Sequence, residues 1–288
     1  MRRLLLAALA AILLLTACTA VAEPPPEVMV SGVAGSPPTM TYLTPLTVSE
    51  TVHRVIWEGA GDELVDGRPV LLDFWLENAK DATVVKESYS SSPTARTLTV
   101  EDLGQDLYDS LHGQRVGARL LQISPAPGDG AADYPTVTVV DVLPTRASGE
   151  PVPAAEGMPV VTLGADGAPS ITASEAAPPT DLRTQPILRG TGTQVAEGDI
   201  VTVQYTGFAW STGVAFDSTW TSGSPVSFAL STVPAWSALI EQPVGSQVML
   251  VVPSTYAITA TQSEELAGQT IVFVVDILAT GPATAVTG

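Results

Sequence analysis

Asp217 stands between Phe216 and Ser218, near the end of the stretch VTVQYTGFAWSTGVAFDSTW (201–220). A carboxylate beside an aromatic ring invites an acid–base or nucleophilic reading, and that chemistry needs a base within reach. The chain has two histidines, His53 and His112, both in its first half. His112 precedes Gly113 at an expected helix end, where a cation is favoured, and His53 opens a strand, so both read as structural. Cys18 is the single cysteine, which leaves no His/Cys cluster for zinc. Asp129, Asp133 and Asp166 lack the spacing of a calcium loop. GTGTQVAEG (190–198) has spaced glycines without the strand–helix context of a phosphate loop. No metal or cofactor is expected. What remains is apolar: Tyr205, Phe208, Trp210, Phe216, Trp220, Phe228, Trp236, Tyr256 and Phe273 crowd the second half. Several of these must share one core or one pocket.

The elements that would position these residues occur twice. VHRVIWEGAGDELVDGRPVLLDFWLENA (52–79) and LRTQPILRGTGTQVAEGDIVTVQYTGFA (182–209) both run strand, Gly-x-Gly turn, alternating strand. LHGQRVGARLLQISP (111–125) matches IEQPVGSQVMLVVP (240–253), and TVTVVDVLP (136–144) matches TIVFVVDILA (270–279). This spacing predicts an internal duplication of one domain of about a hundred residues, not a solenoid. Segments 70–76 and 200–206 alternate as half-buried strands do. TVEDLGQDLYDSLHG (99–113) opens with a helix start signal, and Leu103, Leu107 and Leu111 recur along one helical face. The second copy is shorter here, STVPAWSALIEQPVG (231–245), with Pro234 suited to a first helical turn. One short helix against a mostly antiparallel sheet is an α+β domain.

The chain has 288 residues, enough for two such domains, and 45% are hydrophobic, enough for real cores. The formal charge is −18, and Arg183 and Arg189 are the only cations beyond residue 147. Such a surface repels phosphate backbones, so no nucleic-acid partner is expected. Anionic lipid is disfavoured as a direct electrostatic partner for the same reason.

The start, MRRLLLAALAAILLLTAC, combines two arginines, an apolar run too short for a comfortable span, and small residues before Cys18. Leu15-Thr16-Ala17-Cys18 resembles the bacterial lipobox. The resemblance implies cleavage after residue 17 and a lipid anchor on Cys18, hence an extracytoplasmic protein held at the bacterial cell membrane. The other reading is an ordinary signal peptide with an incidental cysteine. Residues 18–49, rich in Pro, Ser, Thr and Gly, read as a disordered tether. The two domains are expected at 50–146 and 181–283. Between them, 147–180 reads as linker with a hairpin around Asp166-Gly167, or as a plain spacer.

In the second copy an ordered set accumulates: V-x-V-x-Y-T-G, then G-x-x-F-D-S, P-x-x-F-x-L, a Trp, V-G-S, L-x-x-P and a last V-F-x-V strand. Over residues 182–280 it resembles the FK506-binding-protein type of peptidyl-prolyl isomerase. The resemblance implies two tandem domains of this type, each an antiparallel sheet wrapped around one short α-helix. It also implies isomerisation of X–Pro bonds in exported polypeptides. Tyr205, Phe216, Asp217, Trp236 and Phe273 fall on the family's pocket positions. Val233 falls where a backbone amide meets the substrate carbonyl. Val226 stands where a larger aromatic is common, Phe228 follows it, and Tyr256 and Ile258 fall in a loop the family fills differently. Such a pocket needs no proton transfer: a dry apolar site disfavours the charge-separated planar amide and so favours the twisted one. The first copy departs, with LDFWLEN (72–78) for the Tyr-Thr-Gly strand, Leu107 for the Trp, and VKES (85–88) for Phe-Asp-Ser, where Glu87 would replace the acid. It reads as a degenerate, inactive copy. The alternative for the whole chain is a non-catalytic binding or chaperone lipoprotein.

Overall fold

The computed structural model describes residues 27–127, 133–256, 266 and 268–283, without the Ser222 side chain. Strands β1 (Met29–Ser31) and β2 (Thr39–Thr41) form a hairpin. β3 (Val52–Trp57), β4 (Pro69–Asn78), β5 (Thr83–Glu87), β6 (Thr94–Thr97), helices α1 (Val100–Leu103) and α2 (Gln105–Leu111), β7 (Arg119–Ser124) and β8 (Thr136–Leu143) follow. Then come β9 (Glu150–Pro151), β10 (Val160–Leu163), β11 (Pro169–Thr172), β12 (Arg183–Arg189), β13 (Asp199–Ala209), β14 (Ala215–Ser218), α3 (Thr219–Ser222), β15 (Val226–Ala229), β16 (Gln247–Val252) and β17 (Ile271–Pro282). Two short 3₁₀ segments, Leu230–Thr232 and Pro234–Leu239, lie between β15 and β16. Among the described residues no helix is long and apolar enough to cross a membrane.

Two antiparallel sheets carry the architecture. The first runs β3-β7-β8-β4-β5, with β6 also on β4. The second runs β12-β16-β17-β13-β14, with β15 also on β13 and β9 added outside β12. Strand for strand the order is the same, so the echo in the sequence is an echo in topology.

Each sheet is covered on both faces, which is why its central strands read as nearly continuous apolar runs. On β17, Phe273, Val275 and Ile277 pack with Trp236 and Leu239 of the 3₁₀ segment. Val272 and Val274 point the other way, onto Phe208, Trp210 and Met249. That second face is closed by Val161 and Ile171 of the β10–β11 hairpin. The first sheet repeats the plan: Leu111 packs on one face, and the β1–β2 hairpin covers Leu121, Ile123, Val137 and Val139 on the other.

Three expectations change. Residues 27–49 are not a tether. Val28 and Leu46 are buried, and Val30, Met40 and Tyr42 pack on the first sheet, because without this hairpin an apolar sheet face would lie in water. Residues 18–26, with Cys18, lie outside the described residues, as does the expected signal segment 1–17. The helix expected over 99–113 is broken at Gly104, whose φ of 75° closes α1 and which an L-residue with a Cβ adopts only at a cost. The second sheet has a 3₁₀ segment where an α-helix was expected. It starts at Pro234, whose missing N–H costs nothing there, and the longer 3₁₀ rise per residue suits a shorter connection.

Candidate functional site

Tyr205 lies at the middle of β13, paired with Val275 of β17 and half-buried. Alternation puts Tyr205 and Gly207 on the same face, and Gly207 pairs with Phe273 on one side and Asp217 on the other. Between β13 and β14 the register slips: Gly207 faces Asp217 while Phe208 faces Ala215. Phe216 is therefore the extra residue of a β-bulge. A bulge re-aims side chains that regular alternation would send to opposite faces. Here both Phe216 and Asp217 reach the Tyr205–Phe273 side.

The rings then form one group. Phe216 meets Phe273 edge-on at 5.9 Å between centroids, and Tyr205 lies 5.9 Å from both Phe273 and Trp236. Trp236 sits 5.0 Å from Phe273 and 5.0 Å from Phe228. Trp236 and Phe273 are buried, while Tyr205, Phe216 and Phe228 are half-buried at the margin. The arrangement is an apolar base of two rings with a partly wet aromatic wall.

Tyr205 Oη donates to Asp217 Oδ2 at 2.6 Å. Burial of the phenol, and then the accepting and negatively charged Asp217, push the Tyr205 pKa upward. The phenol stays protonated at physiological pH and works as a fixed donor. Among the described residues no three His, Cys, Asp or Glu could hold a metal.

Gly207, the glycine of the Tyr-Thr-Gly motif, has a steric role in the structure. A Cβ there would lie 2.6 Å from Phe216 Cζ and 2.9 Å from Phe273 Cε1. The signal was available, since a glycine inside a long alternating strand marks a close approach.

The other expected residues divide. Val233 is half-buried beside the group and caps the 3₁₀ segment, its carbonyl accepting from Trp236 N at 2.9 Å. Tyr256 packs against the same core. Val226 is 38% exposed, pairs with Val203 at the start of β15 and stays outside the packed group. Ile258 lies outside the described residues.

In the first sheet, Phe74 N donates to Ser88 Oγ as Tyr205 N donates to Thr219 Oγ1, which aligns the two copies residue by residue. Phe74, Leu76, Val85, Lys86 and Thr138 then stand for Tyr205, Gly207, Phe216, Asp217 and Phe273. The expected substitute, Glu87, is displaced by one position. It faces Trp75 and accepts from Ser90 N at 2.9 Å, while Lys86 Nζ lies 5.7 Å from the Phe74 ring centre. The bulge falls at Val85 as it falls at Phe216, so pairing register puts Lys86, not Glu87, in the place of Asp217, and the aromatic group is missing from this copy.

Residues 191–278 match the model of the FKBP-type peptidyl-prolyl cis-trans isomerase family. The chain is 33% identical over 109 residues to an FK506-binding protein of Streptomyces anulatus, covering 35% of this chain and 88% of that one. The chain belongs to this family. It is also 33% identical over 103 residues to a probable FK506-binding protein of Corynebacterium glutamicum, covering 35% of this chain and 87% of that one. The solved structure of FkpA from Escherichia coli is 28% identical, with a TM-score of 0.33 over 45% of this chain and 54% of that one. The matched FKBP segment contains Tyr205, Gly207, Phe216, Asp217, Trp236 and Phe273.

Proposed function

We propose that the second sheet isomerises X–Pro bonds, with the prolyl ring seated on Trp236 and Phe273 and walled by Tyr205 and Phe216. The observation that carries this reading is the Tyr205–Asp217 hydrogen bond, which holds a carboxylate at the rim of an aromatic base. A planar X–Pro amide turns over against a barrier of about 18–20 kcal/mol, with an unaided time of about 10–100 s. Rings that exclude water disfavour the charge-separated planar amide and favour the twisted one. The backbone amide of Val233 receives the substrate carbonyl. No cofactor takes part.

The first sheet is a tandem copy of the FKBP fold without the isomerase surface, since Leu76, Val85, Lys86 and Thr138 replace the residues that build it. Clients are proline-containing segments of exported proteins, met outside the cytoplasm, where a lipid on Cys18 holds the chain to the membrane.

The test of activity is a protease-coupled isomerisation assay on an X-Pro tetrapeptide with the full chain. A rate well above background is expected, and a rate equal to background from folded protein would sink the enzyme reading. Binding of the peptide without turnover would make the unit a proline-binding module. Palmitate labelling in cells should mark the wild type and not Cys18→Ser; equal labelling would remove the anchor.

A further inference from the structure

Behind Tyr205, on the face of β13 away from the rings, lies a polar clamp that the family motif does not name. Thr219 is 5% exposed and opens α3 directly after Asp217 and Ser218. Its Oγ1 accepts from Tyr205 N at 2.8 Å and donates to Gln204 Oε1 at 2.5 Å. The Gln204 side chain is itself buried. Next to it, the Thr206 and Ser218 hydroxyls meet at 2.8 Å.

The clamp answers a problem the bulge creates. β14 is the edge strand of its sheet and has four residues. The slip at Phe216 interrupts its pairing, so the ladder alone holds Asp217 weakly. Consecutive residues Asp217, Ser218 and Thr219 instead each bond to β13: to Tyr205 Oη, Thr206 Oγ1 and Tyr205 N. Thr219 therefore fixes the Tyr205 backbone and the end of the strand that carries Asp217.

We propose that Thr219 is a positioning residue of the isomerase site: its hydroxyl, bound between Tyr205 N and Gln204 Oε1, sets the distance between the Tyr205 phenol and the Asp217 carboxylate. The proposal rests on the isomerase reading of that site. The first sheet supplies an internal control. Ser88 Oγ accepts from Phe74 N at 2.9 Å and donates to Asp73 Oδ1 at 2.8 Å, the same clamp behind a surface that lacks the tyrosine and the acid.

The experiment compares Thr219→Val, Thr219→Ser and Ser88→Ala in the full chain, with two readouts. The first is kcat/KM on an X-Pro peptide. The second is the alkaline titration of Tyr205 by NMR with ring-labelled tyrosine, assigned with Tyr205→Phe. Thr219→Val leaves a buried amide without its acceptor, and a loss of about tenfold in kcat/KM is expected, mostly in kcat. Its Tyr205 titration should move back toward that of an ordinary tyrosine. Thr219→Ser keeps the hydroxyl and should restore both. Ser88→Ala should leave both unchanged. The proposal is overturned if Thr219→Val keeps the wild-type titration, if Thr219→Ser fails to restore it, or if Ser88→Ala lowers kcat/KM equally. Should the wild type prove inactive, the isomerase reading fails, and the titration still decides whether Thr219 sets the Tyr205–Asp217 geometry. Should Thr219→Val not fold, the same comparison is made between Thr219→Ser and Thr219→Ala.

Discussion

Tyr205 and Asp217 are joined by a 2.6 Å hydrogen bond across a β-bulge, although they sit on different strands and Asp217 pairs in register with Gly207. Each partner alone is ordinary. Together they hold a charged group at the edge of a ring cluster that would otherwise have no polar landmark. Tyr205→Phe and Asp217→Asn should each lower kcat/KM by about tenfold, the scale of one charge-assisted hydrogen bond. Asp217 is exposed, so its loss should change stability by no more than about 0.5 kcal/mol. Because both variants break the same bond, the double variant should be little worse than either single one. Losses that multiply would mean the two residues act independently.

Gly207 allows that geometry by having no side chain. In Gly207→Ala the new methyl would need the space held by Phe216 Cζ, 2.6 Å away, and Phe273 Cε1, 2.9 Å away. Phe273 is buried in the cluster and Phe216 half-buried at its margin, so the cost should be about 1–3 kcal/mol, as for other overpacked cores. Urea unfolding measures it, and peptide turnover should fall with it. A variant of wild-type stability and turnover would show that the rings move aside freely.

Asp276 supplies a pH dependence of stability. It is buried on β17, where Ala147 N donates to Oδ2 at 2.8 Å and Gln247 Nε2 donates to Oδ1 at 2.7 Å. Burial outweighs these donors and the nearby charge of Arg146, and raises the pKa from 3.8 to about 6. The folded carboxyl thus binds its proton more tightly than the unfolded one. The stabilisation is fully present below pH 3.8 and is lost as pH rises through about 6. Unfolding curves should show this contribution larger at pH 5 than at pH 7, by part of the roughly 3 kcal/mol that the rise from 3.8 to about 6 represents. Asp276→Asn should remove that slope; if the slope persists, another group carries it.

Arg119 tests whether residues 27–49 belong to the fold. Its guanidinium is fully buried, bonds Asp141 Oδ1 at 2.5 Å and Oδ2 at 2.6 Å, and reaches Ser36 O in the N-terminal hairpin at 2.8 Å. Arg119→Ala strands a buried carboxylate and should cost about 3–5 kcal/mol in the first sheet. Limited proteolysis should then cut within 27–49, while isomerisation by the second sheet should hold. Resistance equal to wild type would mean that the apolar contacts of Val28 and Leu46 suffice.

The shared strand order of the two sheets was legible because it rests on local patterns: alternating strands, Gly-rich turns and paired Val-Gly steps recur in order. The aromatic residues of the candidate site were legible too, as an ordered motif. The hairpin at 29–41 was not. Two three-residue strands around a Gly-Ser-Pro-Pro turn have the composition of a linker, and only an uncovered sheet face gives them a reason to pair. The first copy's counterpart to Asp217 is Lys86 rather than the expected Glu87, because Glu87-Ser88 resembles Asp217-Ser218 by residue type but stands one register position later. Both copies carry the bulge at the same place, Val85 and Phe216, so Lys86 stands opposite Leu76 as Asp217 stands opposite Gly207.

Sequence alone determined which residues were available to this site: Asp217, Tyr205, Tyr256 and a set of rings, with no histidine or cysteine in the second half of the chain. Tertiary structure decided which of them meet. Alternation would send Phe216 and Asp217 to opposite faces. The bulge turns both toward Tyr205, and the bare backbone of Gly207 leaves room for the Phe216 and Phe273 rings, because pairing register is a property of two strands together and is written in neither one.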